Sequence, residues 1–186
     1  MSLFKKKTKE QDAAAAYLML RLERVRTDWP SYRKILHEAF ARLNDFQFEF
    51  NNEVAIRDLT LATVALDLTS LPNIFARDQS ERITTWILKL IDSPDWEPEA
   101  KIALYEFGAA FKKSVQNPNP NKDLLAPIGD RLLRRWLGES AAALEVKIGD
   151  VNTGRLNPII LQIFSTIIST YLGFWKKVGQ EFKLVE

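Results

Sequence analysis

Apolar residues recur at intervals of three and four along nearly the whole chain, the spacing that lays one stripe along an α-helix. Asp12 suits an N-cap, and a helix over 13–28 follows with Leu18, Leu22, Val25 and Trp29 as its stripe. Pro30 is expected to end that helix, because the residue before a proline avoids the helical region. A second helix then runs from Pro30 or Ser31 to about Phe50, with its seam at Tyr32, Leu36, Ala39, Leu43, Phe46 and Phe50. These are heptad positions over too short a span for a coiled coil, so antiparallel bundle packing is expected. The alternation Phe46-Gln47-Phe48-Glu49-Phe50 also fits a short strand.

The segment from Val54 to Leu71 is the second most apolar, with Thr60, Thr63, Asp67 and Ser70 as a polar stripe and Pro72 as its stop. Asp78-Gln79-Ser80-Glu81 resembles a capping box, with Asp78 at the N-cap and Glu81 three residues on. The helix it opens carries Ile83, Trp86, Ile87, Leu90 and Ile91 on one face and Arg82, Thr85, Lys89 and Asp92 on the other. Ser93–Pro98 is a turn, and Pro98 between Glu97 and Glu99 starts a helix that buries Ala103, Leu104, Phe107, Ala110, Phe111 and Val115. Gly108 within it costs about 1 kcal/mol against alanine, which suggests a close helix crossing. The clearest linker is 117–122, Asn-Pro-Asn-Pro-Asn-Lys. A helix over 123–137 ends on Gly138, and 139–148 fits either helix or strand.

The most apolar stretch comes last. No charge falls between Arg155 and Lys176, and Pro158 suits a first helical turn. A helix over 157–178 would be about 30 Å long, enough for a bilayer or for a bundle core. Phe174-Trp175-Lys176-Lys177 reads like an aromatic belt with a positive cap. Gln162, Thr166, Ser169, Thr170 and Gly173 share one face and lower the hydropathy below that of a spanning helix. The rest of the chain also offers apolar faces that need a partner, so burial within protein is the expectation.

Composition changes this picture little. The chain has 186 residues, 46% of them hydrophobic and 27% charged, which is ordinary for one globular domain. The net charge of +2 is local: Lys5, Lys6, Lys7 and Lys9 precede the first acid, leaving 22 basic against 24 acidic residues over 10–186. A near-neutral body argues against a nucleic-acid footprint. Residues 1–9 read as a flexible basic tail in which Leu3 and Phe4, beside the lysines, would suit an anionic membrane surface.

Residues for chemistry are scarce. Cysteine is absent, which fits a reducing cytoplasm, and His37 is the single histidine, expected to face water. That inventory leaves no thiolate or paired-histidine metal site, no di-iron Glu-x-x-His pattern and no Gly-x-Ser-x-Gly elbow. Gly149…Gly154-Arg155 has the glycine spacing of a phosphate loop, but Arg-Leu stands where Lys-Ser/Thr is needed. Asp58 and Asp67, nine residues apart, point to opposite sides of one helix, and Asp58 lies in line with apolar residues, where it needs an ion-pair partner.

The expectation is therefore an all-α, single-domain bundle of six to seven helices over 1–186 around the C-terminal apolar helix, with 117–122 as the only sub-boundary. A non-enzymatic interaction or scaffold module fits best, one that binds another protein or itself and takes no cofactor or metal. Its candidate interaction residues are Arg131, Arg134 and Arg135, gathered on one helix, and Lys5, Lys6 and Lys7. The second reading is a membrane-associated accessory subunit, cytoplasmic and peripheral to the inner face of a membrane. A small nucleic-acid-binding subunit and an apolar-ligand carrier follow.

Overall fold

A computed structural model describes residues 6–44, 49–116, 123–138 and 158–185. The 117–122 linker, the ambiguous 139–148 segment, the glycine loop at 149–154 and Lys5 lie outside the described residues. The fold is an all-α bundle. Among the described residues its helices are α1 (Glu10–Asn44), α2 (Asn52–Ser70), α3 (Arg77–Ile91), α4 (Ala100–Gln116), α5 (Ala126–Leu137), α6 (Pro158–Ser169) and α7 (Phe174–Glu181). Two short strands, β1 (Lys6–Lys9) and β2 (Phe182–Val185), pair in parallel with Lys7 opposite Lys183.

Pro30 does not end the first helix. α1 runs through it for 35 residues. A proline inside a helix forfeits one backbone hydrogen bond and crowds the preceding turn. Tertiary burial outweighs that cost: Val25, Trp29, Leu36 and Phe40 are all buried along one continuous stripe. α1 is described as far as Asn44, and residues 45–48, where the helix-or-strand alternative falls, lie outside the described residues. Phe50 lies outside any helix and packs against Trp29, His37 and Trp136. His37 is thus half-buried, not solvent-facing, and accepts from Arg33 Nε at 3.3 Å.

The most enclosed helix is α2, which packs against α1, α4, α5 and α6. Asn51 caps it by accepting from the Val54 N–H at 3.3 Å. Twelve of its residues are buried, including Thr60, Thr63 and Asp67 of the polar stripe. Thr60 and Thr63 are tolerated there because each hydroxyl donates to a carbonyl of its own helix at 2.8 Å. α3 begins two residues earlier than the capping-box reading requires: Ala76 is its N-cap, and Asp78 and Glu81 instead pair with Arg82 and Arg77. Gly108 meets open space, so it marks no crossing. The close approach is at Gly129 of α5, where a Cβ would stand 2.8 Å from the Phe164 Cβ of α6.

The C-terminal apolar segment is two helices and not one. α6 buries Ile160, Phe164, Ile167 and Ile168, while Gln162, Thr166 and Ser169 are exposed. The hydroxyls of Thr166, Ser169 and Thr170 donate back to carbonyls three or four residues earlier, at 2.7–2.9 Å, which weakens the helix at this end. Gly173 then adopts φ +93°, a left-handed conformation that only glycine takes readily. Arg21 donates to the freed Tyr171 carbonyl, and Arg24 donates to that of Thr170 at 3.2 Å. Beyond the turn, Trp175 of α7 is fully buried. Among the described residues no helix is long and apolar enough to cross a membrane.

Candidate interaction groove

Two buried carboxylates brace α2 against its neighbours. Asp67 accepts from Tyr17 Oη at 2.8 Å and from Arg21 of α1. Burial pushes its carboxyl above the usual range, against the attraction of the Arg21 guanidinium, and pushes the Tyr17 phenol well above its own. Asp58, on the opposite side, is fully buried and meets two guanidinium groups, Arg57 at 3.1 Å and Arg135 at 3.0 Å. The ion-pair partner expected for Asp58 is therefore present, carried by α2 itself and by α5.

This pairing redistributes the expected arginine cluster. Arg135 turns toward Asp58 and also reaches Glu106 of α4 at 3.5 Å. Arg134 pairs with Asp130 on its own helix at 3.0 Å, and only Arg131 is an exposed side chain. The three arginines do not form one outward face. A buried carboxylate draws in any guanidinium that can reach it, because leaving it unpaired costs more than ordering an arginine. Of the lysines, Lys7 is exposed on β1, and Lys6 belongs to the same strand. The stretch expected to be a flexible tail over 1–9 is a strand from Lys6 to Lys9.

Arg57 continues from Asp58 to the surface, where it meets Glu97 in the turn between α3 and α4. There it forms one bank of a groove of about 450 Å³ between α1, the start of α2 and that turn. The floor is apolar: Leu18 and Leu22 of α1, Ile56 of α2, Leu90 of α3 and Trp96 of the turn. Met19 stands at its edge with 72% of its surface exposed. The banks are charged and largely paired, with Arg26 facing Glu53 at 3.6 Å and Arg57 held between Asp58 and Glu97. Asp95 adds an exposed carboxylate with no ion pair among the described residues. The lining thus carries two cations and three anions.

Sequence reasoning named none of these groove residues as functional. The available signal was Trp96, a large aromatic ring set in a proline-bounded turn where nothing local can cover it. Nothing in the groove suggests bond-making chemistry: no nucleophile is paired with a base there, and among the described residues no cluster of three His, Cys, Asp or Glu side chains suits a metal ion. No known protein family, characterised protein or solved structure matches this chain.

Proposed function

We propose that this protein is a non-enzymatic helical interaction module that seats an amphipathic helix of another protein in the groove between α1, α2 and the α3–α4 turn. The observation that carries the reading is the composition of that groove, an apolar floor between charged banks. An amphipathic helix presents apolar side chains at every third or fourth position and fills such a channel. Trp96 and Met19 are the anchoring contacts, since aromatic and methionine side chains dominate interface cores. Asp95 and the surplus of carboxylates in the lining favour a partner helix with a lysine or arginine beside its apolar stripe.

The reading is tested with a displayed library of amphipathic helical peptides selected on the full chain. Selected peptides should carry a basic flank and should lose tenfold or more affinity against Met19→Asp, equivalent to about 1.4 kcal/mol. They should bind normally to Ile102→Asp, which alters an exposed apolar residue on α4, 59% exposed and outside the groove. Failure to select any peptide, or peptides indifferent to Met19→Asp, overturns the proposal. So does a concentration-dependent dimer that Met19→Asp abolishes, because the groove then belongs to a second copy of the chain.

A further inference from the structure

The β1–β2 pair brings together lysines that are far apart in the chain. Lys7 of β1 stands in register with Lys183 of β2, and Lys9 follows two residues along β1. Side chains alternate across a strand, so these three share one face. All three are exposed, whereas Leu184, on the opposite face, is 8% exposed. Spacings of about 7 Å along a strand and about 4.8 Å between strands root the three lysine side chains within one small patch. Like charges directly opposite one another destabilise a strand pair. None of the three has a carboxylate partner among the described residues, although ion pairs are common elsewhere on this surface. Among the described residues nothing offsets their repulsion.

We propose that this lysine face is a docking surface for an anionic lipid bilayer, independent of the groove. Charge complementarity selects an anion, and the geometry selects among anions. The patch is the exposed side of a two-stranded sheet and offers lysines with no arginine fork, so it suits a diffuse layer of negative headgroups more than one stereospecific phosphate or peptide. Without Lys183, residues 10–186 carry 21 basic against 24 acidic side chains, a net of −3 that turns this part of the molecule away from the same surface. Three lysines are too few for the phosphate contacts that hold a protein on nucleic acid at physiological salt.

The test is sedimentation of the full chain with phosphatidylserine-rich vesicles and with pure phosphatidylcholine vesicles, at low and physiological ionic strength. Binding should require the anionic lipid and should weaken as salt shortens the screening length to about 8 Å. Lys7→Gln and Lys183→Gln should each lower the partition coefficient about fivefold, and the two together with Lys9→Gln about a hundredfold. Lys113→Gln, exposed on α4, should leave it unchanged. An unchanged thermal transition in the lysine variants shows that the fold is intact. Lys183 is the decisive position because it lies at the other end of the chain from the other lysines. If only the N-terminal lysines matter, a basic tail acts alone and the proposal is overturned. It is overturned equally by absence of binding, or by tighter binding to polyglutamate or an oligonucleotide than to the anionic vesicles.

Discussion

Gly129 and Gly108 place opposite demands on the same small residue. A Cβ at Gly129 would press on the Phe164 Cβ at 2.8 Å, where backbone and not a flexible tip would have to move. Gly129→Ala should therefore destabilise the fold by about 1–3 kcal/mol, as overpacking does. Gly108 lies within α4 with open space about it, and Gly108→Ala should stabilise by about 0.5–1 kcal/mol through helix propensity alone. Urea denaturation of the two variants reads both signs. Glu10 offers a second test at this scale. Its buried carboxylate accepts from Arg82 at 2.9 and 3.0 Å and from Gln79 at 3.0 Å. Those Arg82 bonds hold its pKa below the usual carboxylate range, against burial and the nearby Asp78 carboxylate, which raise it. A depressed folded pKa contributes stability that is full above about pH 4.3 and is lost as pH falls through the folded value. Glu10→Gln should cost about 1–3 kcal/mol near neutral pH, and the difference from the parent chain should shrink toward zero in acid. A deficit independent of pH would contradict this assignment.

At the scale of elements, most of the helices and most of their buried faces were legible in the sequence, and the misreadings have specific causes. The stripe Leu18, Leu22, Val25, Trp29, Tyr32, Leu36, Ala39 and Leu43 keeps the same three-and-four rhythm across Pro30. That unbroken phase was the sign of one helix, and local proline chemistry obscured it. Since Pro30 is exposed within α1, Pro30→Ala should restore a backbone hydrogen bond to the Arg26 carbonyl and raise stability by about 1–3 kcal/mol. A lower melting temperature in that variant would mean that the proline ring itself is needed for packing. The break between α6 and α7 was hidden for the converse reason. Its apolar periodicity is continuous, and it is Gly173 together with Arg21 and Arg24 of α1 that ends the helix. A carbonyl acceptor for an arginine 150 positions away has no local sequence signature.

Across the whole molecule, ion pairs join segments that sequence spacing treats as separate. Asp58 was recognisable as a carboxylate in need of a cation, but its partner Arg135, 77 residues away, read as part of a surface cluster. The same holds for the two candidate surfaces. The groove gathers Leu18, Ile56 and Trp96 from three elements, and the lysine face sets Lys183 beside Lys7. Each residue looks ordinary in its own segment, and only the packing of α2 between α1 and α4 brings the groove residues together.

The groove can be read directly because the chain contains only two methionines, Met1 and Met19. Methyl-labelled methionine gives one resonance for each in a heteronuclear spectrum. Titration with a basic amphipathic helical peptide selected on the full chain should shift the Met19 methyl signal saturably and leave that of Met1 in place. A selected peptide that binds while the Met19 signal stays unmoved would show that the groove is not where this protein meets its partner.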